Sequence, residues 1–218
     1  MSTGLFGGGA AHLGKSARTR ARLMDAAVEL FARDGFEAAS VNEIARRAGV
    51  ANGTFYVHFR DKEAIASEVA LAIAGGVTRQ LDEAMAGIDD AVERTSMATR
   101  RFIELASSVP DWGRALLRAL WTFQGLRDSV AGYLKADLER GVEQGAFSVR
   151  VDTVLIDVFV SMAMSGLFER LSGSAPDDVA SRVAELQLRM LGVSPERASV
   201  VSQRALPPVA LTLSPASG

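Results

Sequence analysis

The amino-acid sequence predicts an all-α fold, and three observations carry that reading. Hydrophobic residues make up 48% of the 218, with Ala and Leu prominent and little of the apolar–polar alternation that half-buried strands require. Apolar side chains recur instead at helical spacing, as in Leu23, Ala26, Ala27, Leu30 and Phe31, which fall on one stripe. Pro110, Gly125, Gly145 and Pro176 fall between such stretches, where helices are expected to start and stop.

In chain order, residues 1–16 are Gly-rich and aperiodic and are predicted to be a flexible tail. The first helix follows over 17–33, and Gly35 supplies a left-handed stop. Residues 40–59 hold two short helices around one glycine. Asp61-Lys62-Glu63 then opens a long helix, reaching Met85, whose acids sit at its positive end. Gly75 and Gly76 lie in its middle, where each costs roughly 1 kcal/mol against alanine, so the helix either bends there or packs closely. Further helices are expected over 89–108, 111–125, 127–144 and 152–172, and a last one from Pro176-Asp177-Asp178 to Gly192. From Pro195 to Gly218 the proline pairs and missing period predict an extended or disordered tail. The expected division is therefore tail 1–16, head 17–63, body 64–194 and tail 195–218.

The 40–59 segment is the most specific feature. The Ser40 hydroxyl is placed to accept from the Glu43 amide while the Glu43 carboxylate reaches back, a capping box that starts a helix at Val41. Ile44, Ala45 and Ala48 form the inner face of that helix, Arg46 and Arg47 the outer one, and Gly49 the turn, with Val50 between the helices. In the next helix, about 52–59, Phe55 and Phe59 are anchors four residues apart. Gly53 and Thr54 are small enough for close approach to base edges, and Thr54 offers a hydroxyl and a methyl. Tyr56 and His58 emerge on the opposite side as phosphate ligands, and Lys62 adds a charge to the same backbone. Free amides at the start of the first short helix, by Ser40 and Val41, also suit a phosphate. This is the grammar of a helix-turn-helix reader of double-stranded DNA. Arg18, Arg20 and Arg22 are either an arm entering the minor groove or the solvated start of the first helix.

The run Ser40-Val41, Ile44-Ala45, Ala48-Gly49-Val50, Gly53-Thr54-Phe55-Tyr56, His58-Phe59, Lys62-Glu63 resembles the signature of the tetracycline-repressor (TetR) family of bacterial transcriptional regulators. The close match covers roughly Arg18 to Val69, about a quarter of the chain. The resemblance implies a three-helix DNA-binding head, a helical-bundle regulatory and dimerisation domain with a ligand pocket, and a homodimer on a palindromic operator. One departure is Ala51, where the family often has serine; a hydroxyl able to cap the reading helix is lost, and Asn52 is the available substitute.

Beyond the head, residues 152–172 are apolar nearly all round, with Asp157, Ser161 and Ser165 as one polar row, so this helix needs neighbours on more than one side. The last helix carries Val179, Val183, Leu186 and Met190 at 4, 3, 4 spacing, the seam of helix-to-helix packing. With Phe168 these are the expected dimer contacts; filling a monomer's core is the other use of the same pattern. Aromatic and thioether residues available to line a pocket are Phe102, Trp112, Trp121, Phe123, Phe159, Met162 and Met164, with Gln124 or Tyr133 as polar anchors, which suits a hydrophobic or flat effector.

Charge and composition exclude other classes. The net charge is −2, but residues 1–62 carry nine basic and six acidic side chains, a net +3, against −5 for the other 156 residues. With no Cys there is no disulfide, thiolate metal site or cysteine nucleophile. The N-terminus lacks the pattern of a signal peptide, and the longest apolar stretch is interrupted by Asp157, Glu169 and Arg170, so neither export nor a membrane partner is expected and the cytoplasm is. Two histidines and no G-x-S-x-G leave no catalytic constellation and no call for a cofactor. Gly9 to Ser16 matches G-x-x-x-x-G-K-S, but a phosphate-cradling loop follows a buried strand, and the eight residues before it are too glycine-rich to form one; that reading is rejected. The expectation is a dimeric repressor released by a small hydrophobic ligand, the alternative a helical ligand-binding or scaffold protein with a vestigial head.

Overall fold

The computed structural model describes residues 6, 14–108, 110, 113, 114, 116, 117, 124–173 and 175–206. These contain the helices α1 (Lys15–Asp34), α2 (Val41–Arg47), α3 (Asn52–His58), α4 (Lys62–Ala84), α5 (Ala91–Ser108), α6 (Gln124–Glu143), α7 (Thr153–Ser172), α8 (Val179–Met190) and α9 (Pro195–Gln203), and no strand among them. Residues 113, 114, 116 and 117, within the predicted 111–125 helix, are helical too, as is Pro110, expected between helices.

Local signals place most helix ends. Gly35, at φ 83°, closes α1 by donating its amide to Phe31 O at 3.1 Å. Asp61 caps α4 by accepting from the Ala64 amide at 2.7 Å, and Asp152 caps α7 by accepting from Leu155 at 3.0 Å. Helix α4 runs unbroken through Gly75 and Gly76. The predicted break at Gly125 is absent, because that residue sits in the first turn of α6. The expectation of an unstructured tail from Pro195 is corrected: Ser194 Oγ accepts from the Arg197 amide at 3.3 Å and Pro195 occupies the first helical position, which builds α9. Ala198 and Val201 bury its inner face, and Arg197–Asp90 (2.7 Å) and the Arg204–Glu93 pair tie it to the start of α5. Residues 207–218 and most of the predicted N-terminal tail lie outside the described residues.

In the body, α5 packs against α6, α7, α8 and α9, while α4 lies along α6. The largest cluster of buried apolar residues begins in the head with Leu23, Leu30, Ile44, Phe55 and Phe59, passes through Ile65, Val69, Leu81 and Met85 of the α4 segment, and continues to Met97, Leu105, Met164 and Leu167 in the body. Head and body therefore share one core. A second cluster, around Val92, Leu138, Phe147, Ile156, Phe159, Leu188 and Val201, fills the far end.

Candidate nucleic-acid interface

The start of α2 follows the sequence reading in half of its capping box. Ser40 Oγ accepts from the Glu43 amide at 3.2 Å, but the Glu43 carboxylate turns outward, 3.3 Å from Arg46 Nη2 and 3.5 Å from Arg33 Nη2. Ile44 and Ala45 are buried, Val41 is half-buried, and Arg46 is 78% exposed. Gly49 makes the turn at φ 65°, a conformation costly for any residue with a Cβ. The end of α2 is closed from outside: the Arg22 guanidinium of α1 donates to Ala48 O and, at 3.3 Å, to Gly49 O. A Cβ on Gly49 would stand 2.7 Å from that guanidinium, so the glycine serves both the turn and the cap.

Helix α3 is held by its aromatics. Phe55 is fully buried and Phe59 nearly so, their ring centroids 5.8 Å apart. The opposite side faces solvent: Ala51, Asn52 and Gly53 are exposed, Tyr56 is 57% exposed and Val57 79%. Thr54 and His58 flank that surface, half-buried. Nothing stands within 4 Å of a Cβ built on Gly53, so the space at the front of the helix is open. Ala51 leaves α3 without a side-chain cap, and exposed Asn52 does not supply one. Val57 was not among the expected DNA contacts. Its signal was available: it lies off the Phe55–Phe59 stripe, so an apolar residue there has no core to join.

Several basic residues of the head are held within the protein. Arg20 and Arg22 form no arm: both lie inside α1, with Arg20 ion-paired to Glu68 and its guanidinium 4.8 Å from the centre of the Phe59 ring. Lys62, expected at a phosphate, donates through Nζ to Phe36 O at 2.8 Å and to Glu37 O at 3.4 Å, over the Phe36 ring at 4.3 Å. In the free protein it staples α4 to the turn between α1 and α2. Arg47 clamps Glu29 through Nε at 2.7 Å and through Nη2, and that hydrogen bond, outweighing the opposing effect of burial, holds the Glu29 carboxyl below its ordinary range. Arg46 and the 86% exposed Arg60 stand before and after α3 in the chain, ion-paired to Glu43 and Asp61.

The body redistributes the other expected residues. Trp112, Trp121 and Phe123 lie outside the described residues; Gln124 opens α6, and neither its side chain nor that of Tyr133 is described. Phe159 is buried in the far cluster, whereas Phe102 and Met162 pack against Ile103, Ala180 and Val183, so these three do not share a wall. A groove of about 1140 Å³ opens elsewhere, between the α1–α2 turn at Asp34 to Ala38 and α7, where Met164, Ser165 and Phe168 face it. The expected 4, 3, 4 seam on α8 also divides. Val183 turns inward, its Cγ2 2.7 Å from where a Cβ on Gly166 would stand, because α8 is sandwiched between α7 and α5 on one side and α9 on another. Val179 is half-buried, Met190 packs on the far cluster, and Leu186 is 46% exposed. On α7, Phe168 is 60% exposed, in one row with Val154 (68%) and Val158 (45%).

A capped α2, a glycine turn and an α3 that buries two phenylalanines while presenting Gly53, Tyr56 and Val57 define a helix-turn-helix transcriptional regulator. Residues 23–69 match the bacterial regulatory proteins of the tetR family, and residues 90–204 match the tetracyclin repressor-like C-terminal domain. The chain belongs to the TetR family. It is similar to an HTH-type transcriptional regulator of Haemophilus influenzae, 30% identical over 186 residues, 80% of this chain and 88% of the relative. It is likewise similar to the repressor AcnR of Corynebacterium efficiens, 27% identical over 181 residues, 79% of this chain and 92% of that one. Among solved structures, RolR with its ligand resorcinol shares the fold at a TM-score of 0.73 and 24% identity, covering 90% of this chain and 98% of that one. FadR of Bacillus subtilis with stearoyl-CoA does so at 0.63 and 21%, covering 80% and 97%. No helix among the described residues is long and apolar enough to cross a membrane.

Proposed function

We propose that this regulator is a cytoplasmic, homodimeric repressor that holds a palindromic operator and releases it when a small, mainly apolar molecule enters the helical body. The observation that carries the DNA half is the exposed face of α3, where Val57 at 79% and Tyr56 at 57% sit in water on a helix fixed by buried Phe55 and Phe59. Exposed apolar side chains on a rigid helix flanked by arginines suit a base edge and its backbone. In this reading Gly53, Thr54 and Val57 meet bases. Ser40, Val41, Arg46, Ala51, Asn52, Tyr56 and His58 lie along phosphates, and Lys62 supports them by fixing the turn behind α2.

The exposed row Val154, Val158 and Phe168, together with exposed Leu186 on the adjoining α8, supports the dimer, since a two-fold axis would bury each copy's row against the other's. A small-molecule effector is supported by the relatives that carry resorcinol and stearoyl-CoA. Because head and body share a core through the α4 segment, a body that repacks around a ligand would shift the heads and change their spacing. Selection of bound sequences from random DNA tests the reading. The expected result is a two-fold-symmetric motif with half-sites about 34–36 Å apart or a multiple of that. Failure to enrich any sequence would refute it.

A further inference from the structure

Helix α5 carries three arginines into the body, Arg94 and Arg100 buried and Arg101 nearly so; each has an unpartnered Nε, but only in Arg101 does Nη2 lack a partner as well. Arg94, 11% exposed, donates through Nη1 to Met85 O at 2.9 Å, and its Nη2 lies 3.5 Å from both Asp82 and Asp137. Arg100 donates to Arg204 O at 2.7 Å and so holds the end of α9; burial pushes its pKa down. Arg101 is 12% exposed, and its nearest acid is Glu104 on the same helix, 3.7 Å from Nη1 and half in solvent. Its Nε and Nη2 are shielded from water and have no hydrogen-bond partner.

Those two nitrogens are one edge of the guanidinium, the edge on which parallel N–H bonds grip a carboxylate or phosphate. The same edge does so twice elsewhere in this chain: Arg33 holds Asp34 at 2.7 and 2.5 Å, and Arg47 holds Glu29. An arginine keeps its charge when buried, and leaving that edge dry and empty is costly, so native interiors seldom do it. Arg94 and Arg101 are seven residues apart, two turns, and therefore share a face of α5. On that face Arg94 is met by two acids and a carbonyl, whereas Arg101 has one long pair at Nη1 and an Nε–Nη2 edge that nothing meets.

We propose that the effector of this regulator carries an oxyanion, a carboxylate or a phosphate, which binds the Nε–Nη2 edge of Arg101 while the rest of the molecule lies among the body's apolar side chains. The proposal rests on the ligand-responsive reading above and narrows its ligand to an anionic amphiphile or phosphoester. Since that edge is closed to water, the ligand enters only when helices beside α5 part, which makes occupancy and helix movement one event.

The test uses the full chain and thermal unfolding at constant ionic strength, with inorganic phosphate, dodecanoate and the neutral dodecanol as probes. Wild type is compared with Arg101→Gln, Arg101→Met and the surface control Arg150→Gln. A saturable rise in Tm with phosphate or dodecanoate is expected, with binding weakened about tenfold or more in both Arg101 variants and unchanged in the control, as loss of a bidentate charged pair requires. A response to phosphate marks a phosphoester site; a response to dodecanoate exceeding that to dodecanol marks a carboxylate on an apolar tail. Without ligand, Arg101→Met is expected to melt at or above wild type, since it removes a buried charge whose one ion pair, with half-exposed Glu104, is long. No Arg101-dependent shift from either anion, or a ligand-free Arg101→Met that melts several degrees lower, would overturn the proposal. Selection of operator DNA is read separately: success there with no Arg101-dependent shift removes the anion site alone, and failure there removes the regulator reading whatever the anions do.

Discussion

Replacing Lys62 with methionine separates a staple from a phosphate ligand. The substitution keeps the apolar stem and removes Nζ, which spans the start of α4 and the carbonyls of Phe36 and Glu37 over the Phe36 ring. A charged donor on a carbonyl at 2.8 Å is worth about 1.5 kcal/mol for a half-buried group, the low end of its range. The cation over the ring at 4.3 Å adds about 0.5 kcal/mol, and the longer bond at 3.4 Å adds little. The expected loss is about 2 kcal/mol, which lowers the Tm of a chain this size by about 4–8 °C. Operator affinity should fall with it, because the turn behind α2 loosens. The discriminating assay is that affinity as a function of salt. A staple leaves the logarithmic slope parallel to wild type, whereas a lost phosphate contact flattens it by about 0.9 per head. A Tm within about 1 °C of wild type together with a flattened slope would refute the staple and restore Lys62 as a DNA ligand.

Val57→Ala should make operator binding indifferent to thymine methyl groups: replacing one contacted thymine by deoxyuridine costs wild type about fourfold, the burial of one methyl, and costs the variant nothing. Equal losses in both proteins at every thymine would exclude the contact. Gly141→Ala should destabilise by about 1–2 kcal/mol in urea, overpacking outweighing the gain in helix propensity. The reason is that its Cβ would lie 2.0 Å from the buried Phe147 ring; an unchanged or higher midpoint contradicts this. Phe168→Glu should turn a sedimenting dimer into monomer while leaving the helical circular dichroism intact, and an unaltered dimer would move the interface off α7.

What the sequence revealed and what it concealed divide along the range of the interactions. The Ser40 cap, the Gly49 turn and the Phe55–Phe59 anchors are set within a few residues, and each was legible. Arg22 on the Ala48 carbonyl and Lys62 on the Phe36 carbonyl join residues 26 apart, and nothing local tells a basic residue that closes a turn from one that awaits a phosphate. Val183 and Leu186 share a spacing that one apolar stripe would produce, but α8 has partners on several sides and turns them to different ones. Helix α9 is nine residues long, too short to show a period, yet Ser194, Pro195 and Glu196 spell a helix start that the prolines following in the sequence obscure. Pocket residues are hard to read for a related reason: a list of large side chains on middle helices does not say which wall each one joins.

The core that runs from Leu23 through Ile65 and Met85 to Leu167 has a practical meaning for anyone who would recombine such regulators. A chimera cut between α3 and α4 would divide the cluster that Phe55 and Phe59 share with Ile65 and Val69, so a transplanted head must bring α4 with it. It must also match α6 and α5, against which α4 packs. Exchange of specificities among these proteins is then a problem of compatible cores, and new pairings of operator and signal should arise by drift within each half more readily than by shuffling halves.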